Sequence, residues 1–305
     1  MKIALLEFGN LYNFNKRMSN NLSLLENNII ELNKFFNHAE LDIYILTDVR
    51  DDDGKSVSAL NETLHKYNVT LKLLNFWGHI KDQWIEQEQY GHDNYINTFN
   101  IKQYGFHEDH PNKNPHGFDC KKDFNAGNLW FRRYLNYHLF TEYNKTDHTE
   151  YDFICMTRLF STKIIYIKDI GTFDKNCLYY SLDNFFMGNY ENMEKFFNFG
   201  KYSLFYNTNN HNHQPSLLDN RDFINFAKTH DGWWGDHIFS SEVQILYYIY
   251  SNFNNYKNLR FNYALYCHSY KYMCDLVYQD VYDDSEQARS ILNKEDASLF
   301  IVISR

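Results

Sequence analysis

The chain has 305 residues, of which 44% are hydrophobic and 23% charged. That excludes a disordered or collagen-like polymer and permits a sizeable buried core. Its net charge is −9 at pH 7, and no run of Lys and Arg makes a basic face, so nucleic acid is not expected as a main partner.

No apolar stretch approaches the ~18 residues that a membrane-spanning helix needs. The segment MKIALLEFGN carries Glu7 inside its apolar run and has no small-residue cleavage site, so it reads as a strand and not as a signal peptide. Aromatic residues reach 19%, with Asn and Lys also abundant. This is the signature of codons rich in A and T, and it lowers the information carried by any single Tyr, Phe or Asn. The five cysteines, Cys120, Cys155, Cys177, Cys267 and Cys274, are odd in number and form no C-x-x-C. Free thiols in a reducing, cytoplasmic compartment are expected. The sequons at Asn61, Asn68 and Asn144 are then expected to stay unmodified.

Residues 2–8 (KIALLEF), closed by Gly9, predict a buried parallel strand. Residues 19–37 place Leu22, Leu25, Ile29, Leu32 and Phe36 at helical spacing behind Ser19 as N-cap. Residues 41–47 predict a second strand, ending near Asp48 and Arg50 and the turn Asp51-Asp52-Asp53-Gly54. A helix over 56–67 and a strand over 69–76 follow. This alternation opens an α/β fold with a parallel sheet. Residues 78–123 are polar and hold Pro111 and Pro115, which predicts a long irregular excursion. A helix over 124–143 has Trp130, Tyr134, Leu135 and Leu139 on its apolar side, with Arg132 and Arg133 beside them. Residues 151–157 (YDFICMT) predict a fourth strand, followed at once by Arg158. Strands at 163–168 and 177–181 come next, then a turn at Asp183-Asn184 and a helix over 190–199. After a polar loop at 203–220 and a helix at 221–229, the segment Asp231–His237 opens a helix over about 238–251. Weaker strands are predicted at 258–267 and 298–303. No repeat or linker is evident, so one continuous domain is expected.

In an open α/β sheet, ligands sit outside the carboxyl ends of the strands. Three strand ends therefore matter: Phe8-Gly9 with Arg17 after it, Thr47-Asp48 with Arg50, and Arg158. Several guanidinium groups there suit a phosphate or diphosphate, because Arg offers a planar fork of donors. There is no G-x-G-x-x-G after the first strand, no G-x-x-x-x-G-K-[ST] and no G-x-S-x-G. A dinucleotide oxidoreductase, a P-loop NTPase and an α/β-hydrolase are all disfavoured.

Residues 2–17 (KIALLEFGNLYNFNKR), 42–50 (DIYILTDVR), 151–161 (YDFICMTRLFS), 182–199 (LDNFFMGNYENMEKFFNF) and 240–250 (SSEVQILYYIY) occur in an order that resembles GT-A-like glycosyltransferases of microbes and large DNA viruses. The resemblance implies a mainly parallel, Rossmann-like sheet flanked by helices in a single domain over 1–305. About 1–160 would form the nucleotide-sugar half and about 161–305 the acceptor half. It implies a hexosyl- or pentosyltransferase, soluble and cytoplasmic (host cytoplasm for a viral protein). The donor site would be Phe8, Gly9, Arg17, Thr47, Asp48, Arg50 and Arg158.

The family form has an acidic residue two positions after the Arg, where it meets a divalent metal such as Mn²⁺ or Mg²⁺. Here Phe160 stands in that place. Either other groups hold the metal, His268 being a late-chain candidate, or positive side chains alone neutralise the diphosphate. The pairs His107/His110 and His211/His213 lie in polar loops and read as solvated side chains.

The segment Asp231-Gly232-Trp233-Trp234-Gly235-Asp236-His237 resembles the Trp-Gly-Gly-Glu-Asp type of segment in inverting members. The resemblance implies a carboxylate general base, Asp236 or its rival Glu242, with Asp183 as a third candidate. A positioned carboxylate suits the proton that an acceptor hydroxyl must lose. Trp233 and Trp234 would stack on a glycan acceptor. Two alternatives stay open: a catalytically inactive glycan-binding protein of the same fold, and a sugar-nucleotide nucleotidyltransferase.

Overall fold

The central strand of the computed structural model is β1 (Lys2–Phe8), buried from Ile3 onward. The structure describes residues 1–9, 11, 21–47, 54–80, 126–159, 162–166, 174–181, 185–197, 221–222, 225–226, 241–258 and 299–303. Strand β1 pairs in parallel with β2 (Glu40–Thr47) on one side and with β4 (Phe153–Arg158) on the other. β3 (Thr70–Phe76) lies outside β2, also parallel. Helix α1 (Asn21–Phe35) connects β1 to β2, and α2 (Lys55–Lys66) connects β2 to β3. The nearly unbroken apolar runs of β1, β2 and β4 are what a parallel sheet covered on both faces demands.

Beyond β4 the sheet becomes mixed. β7 (Phe185–Gly188) pairs antiparallel with both β4 and β6 (Leu178–Ser181), and β8 (Tyr256–Asn258) runs parallel to β6. The order is β3-β2-β1-β4-β7-β6-β8. β5 (Thr162–Tyr166) and β9 (Leu299–Ile303) form a separate antiparallel pair. The remaining described helices are α3 (Ala126–Asp147), α4 (Tyr190–Phe197) and α5 (Ser241–Asn252). The architecture is therefore α/β, a mostly parallel mixed sheet of seven strands flanked by helices, compatible with a Rossmann-like fold.

Two compact units are present. The first comprises Met1–Trp77, Leu139–Met193 and Asn255–Arg305, and the second Gly78–His138 and Glu194–Asn254. The first contains the sheet. Its α1 side packs Leu22, Leu25, Ile29, Leu32 and Phe36, all buried as the spacing predicts, on Ile3, Leu5, Ile43, Ile45, Phe153 and Cys155. The other side packs Phe140 of α3 edge-on against Tyr44, with ring centroids 4.8 Å apart. In the second unit Tyr137 stacks on Phe197 at 4.4 Å, and the Tyr248 hydroxyl donates to the carbonyl of Lys195 at 2.7 Å.

The amino ends of the strands are pinned by polar groups. Asp42 is buried, accepts from the Tyr151 hydroxyl at 2.7 Å, and lies 3.3 Å from Lys2 Nζ. The Tyr151 proton is committed to Asp42, which leaves Tyr44 to donate to Tyr151 across 2.7 Å. Burial raises both hydroxyls above their ordinary range. Asp152 accepts from the backbone N–H of Lys2 at 2.9 Å. The Asp that opens 42–50 and the Tyr-Asp that opens 151–161 thus build the fold, at the end of the sheet away from the strand carboxyl ends.

One expectation needs correction, and two features had no counterpart in the sequence reading. On α3 Leu135 is buried as expected, but Tyr134 and Leu139 are only half-buried, whereas Arg133, Asn136, Tyr137 and Phe140 are buried. The aromatic-rich helix has no clean apolar stripe, so spacing could not select its inner face. β7 was not anticipated, because a four-residue strand buried on both faces has no period to read. β5 lies outside the main sheet. Most of the excursion at 78–123 and most of 258–267 lie outside the described residues.

β5 is held to α1 by two side chains. Asn28 Oδ1 accepts from the N–H of Ile164, and Asn27 Nδ2 donates to its carbonyl, each at 2.9 Å. Asn28 is fully buried. Asn28→Ala leaves a buried N–H without its acceptor, and the expected loss is about 1–3 kcal/mol. Urea unfolding measures it, and an unchanged midpoint would show that the clamp contributes nothing.

Candidate functional site at the β1–β4 switch point

From β1 the chain steps outward to β2 and β3, then returns to place β4 on the opposite side of β1. In such sheets a crevice opens where the order reverses, outside the carboxyl ends of the two strands. Its rim here is Phe8-Gly9 on β1 and Arg158-Leu159 on β4, with Leu46-Thr47 of β2 alongside. Phe8 is in register with Arg158 on one side and Leu46 on the other.

Gly9 has φ +131°, a conformation that a residue with a Cβ rarely adopts. Its N–H donates to the carbonyl of Leu46 at 3.0 Å, and the N–H of Leu159 donates to the carbonyl of Phe8 at 3.0 Å. These bonds carry the ladder one step past the strand ends, so the rim backbone is set by the sheet. Phe8, Gly9 and Thr47 are buried, while Arg158 is partly exposed. One planar cationic fork therefore stands at the rim, beside the buried Phe8, Gly9 and Thr47.

Directly beneath the rim lies Glu7, in register with Thr157. Its carboxyl is fully buried and accepts from the Thr157 hydroxyl at 2.6 Å. Burial pushes the carboxyl up to about 8, and the Thr157 bond partly offsets that rise. At pH 7 Glu7 is thus mainly a neutral acid. Burial, with the Glu7 charge adding to it, also drives the Cys155 thiol far above its ordinary range, so this buried cysteine is an inert part of the core. Sequence reasoning used Glu7 only to reject a signal peptide. A lone acid in the otherwise apolar KIALLEF was the available signal, and Thr157 gave none.

Of the residues expected at the donor site, the structure brings together Phe8, Gly9, Thr47 and Arg158. Arg17, Asp48 and Arg50 lie outside the described residues, as do Phe160, Asp183, Trp233, Trp234, Asp236 and His268. Glu242 is the second residue of α5.

Among the described residues there is no group of three or more His, Cys, Asp or Glu that could hold a metal ion. The described rim offers no carboxylate pair to a divalent cation, and its one charged group, Arg158, opposes one. These residues do not fit a metal, and no step below is routed through one. Among the described residues no helix is long and apolar enough to cross a membrane. Comparisons with protein-family models, curated proteins and solved structures find no match to this chain.

Proposed function

We propose that this protein is a glycosyltransferase that takes a sugar from a nucleotide-diphosphate donor and passes it, with inversion, to a hydroxyl of a glycan acceptor. The observation that carries this reading is the β1–β4 switch point, with positive-φ Gly9 and Arg158 on its rim. A GT-A-like donor site lies across the carboxyl ends of a mainly parallel sheet, and the described sheet supplies that platform. Arg158 would bind the diphosphate oxygens as a two-pronged donor. Arg17 and Arg50, which follow the other two strand ends in sequence, would add charge. Phe8 and Thr47 would shape the floor of the donor pocket, and Asp48 would take part beside them.

Titration of the protein with UDP, GDP and their sugar conjugates, read by thermal shift, tests the reading. A nucleotide-specific rise in Tm with slow donor hydrolysis is expected. Absence of any nucleotide effect at millimolar ligand would sink it.

Transfer needs a base for the acceptor hydroxyl, and Asp236 and Glu242 are the proposed candidates. Asp236→Asn or Glu242→Gln keeps shape but removes the proton acceptor. The variant at the true base is expected to lose roughly 10²–10⁴-fold in turnover while donor binding survives. Two active amides would eliminate both residues and leave Asp183, or a retaining reaction. Phe160 in place of the expected acid favours one further reading, an inactive glycan-binding protein. A Tm shift with glycan alone and none with nucleotide distinguishes it.

A further inference from the structure

We propose that β9 is a strap for the switch-point rim: docked on β5 it fixes the backbone that leaves β4 at Arg158 and Leu159, and it undocks while the main sheet stays formed. Its coupling to a bound ligand rests on the nucleotide-diphosphate reading above; the strap itself does not. The rim is last tied to the sheet by the N–H of Leu159, which donates to the carbonyl of Phe8 at 3.0 Å. β5 begins at Thr162, three residues further on. Leu159 and Ile164 are both buried, in one core with Leu22, Leu25 and Ile29 of α1. The position of β5 therefore decides the path of the chain as it leaves the rim.

β5 has no place in the seven-stranded sheet, so its backbone groups find their partners elsewhere. On one edge α1 imitates a strand. Asn28 Oδ1 accepts from the Ile164 N–H and Asn27 Nδ2 donates to the Ile164 carbonyl, each at 2.9 Å. In an antiparallel pair the N–H and C=O of one residue point the same way, and successive residues alternate sides. Ile164 turns both groups to α1, so Ile164 opposite Ile301 is a non-bonded pair of the β5–β9 ladder. Lys163 with Val302 and Ile165 with Phe300 are then the pairs that exchange hydrogen bonds. β5 is thus gripped on both edges, by two asparagines on one and by the backbone of β9 on the other.

β9 is the detachable side of this grip. Among the described strands it pairs with β5 alone, and an isolated two-stranded ladder is marginal in water. β1 and β4, by contrast, have a strand on each edge. Elements held by fewer contacts open at a lower free energy than the core. When β9 leaves, the backbone groups of Lys163 and Ile165 lose their partners, and the asparagine clamp is left to hold β5. The backbone from Leu159 to Ile164 loosens, and the rim is no longer preorganised for a ligand. By linkage, a diphosphate bound at the rim strengthens the docking of β9 by the same factor.

The test is hydrogen exchange of the full chain, read at single amides. In the wild type, Leu159, Ile164 and Val302 are expected to share one opening, with protection at least roughly tenfold below that of Leu5, Leu6 and Met156. Val302→Pro removes a ladder donor. It is expected to cut protection at Leu159 and Ile164 by a further factor of about ten, with Leu5, Leu6 and Met156 unchanged. Val302→Ala keeps the N–H and is expected to stay near wild type. UDP or GDP, whichever binds, is expected to raise protection at Leu159 and Ile164, and its Kd is expected to weaken roughly tenfold in Val302→Pro. Equal protection of all six amides in the wild type overturns the strap, whether or not the proline variant folds. So does unchanged exchange at Leu159 and Ile164 in Val302→Pro, or an equal effect of Val302→Ala. An unchanged Kd beside faster exchange overturns the coupling to the ligand. Absence of UDP and GDP binding overturns the nucleotide reading, and the exchange rates still decide the strap.

Discussion

Between pH 5 and pH 8 the wild-type protein is expected to lose about 3 kcal/mol of stability relative to Glu7→Gln. In the folded chain burial raises the Glu7 carboxyl from 4.5 to about 8. An unfolded chain releases that proton near the ordinary carboxylate value. Across the window between the two values the folded state holds more protons than the unfolded one, so stability falls as pH rises. The contribution is present in full below about 4.5 and is exhausted once pH passes 8. Glutamine does not titrate, so the difference between the two proteins isolates this one group. Urea unfolding of both at pH 5, 6, 7 and 8, without ligand, measures it. Parallel stability profiles would place the Glu7 ionisation near that of a solvated carboxylate and contradict its burial. A loss of this size is a large fraction of the 5–15 kcal/mol typical of a folded domain. Tolerance of such a group is most often found at functional sites.

Arg158→Ala is expected to weaken nucleotide-diphosphate binding by about 2–4 kcal/mol, roughly 30- to 700-fold in Kd. The side chain is partly exposed, and its backbone pairing with Phe8 on β1 survives the change. The fold should therefore persist, and far-ultraviolet circular dichroism with an unchanged unfolding midpoint verifies that. Arg158→Lys keeps the charge and loses the planar fork, so an intermediate affinity is expected. Wild-type affinity in the alanine variant would remove Arg158 from the site.

The two central results differ in how readable they were. That β1, β2, β3 and β4 exist, and that α1 covers them with Leu22, Leu25, Ile29, Leu32 and Phe36, follows from local pattern alone. A doubly covered parallel strand must be apolar nearly throughout, and a packed helix must repeat its apolar residues at its own period. Arg158 was readable for the same reason, as a charge immediately after an apolar strand. The neighbours of each strand were not readable. Pairing of Ile3–Phe8 with Phe153–Arg158 spans about 150 positions, and no local period encodes a partner that distant.

That pairing decides everything specific about the site. It makes β1–β4 the switch point, sets Leu159 beside Phe8, and puts the Glu7 carboxyl and the Thr157 hydroxyl 2.6 Å apart. Glu7 in sequence is an acid of ordinary type. Its proton affinity is a property of the desolvated environment that two neighbouring strands and the helices above them create, and only the tertiary structure contains that environment. The same holds for β7 and the Asn28 clamp on Ile164. A four-residue strand and a lone asparagine carry no periodic signal, and each gains its meaning from a partner supplied by a distant part of the chain.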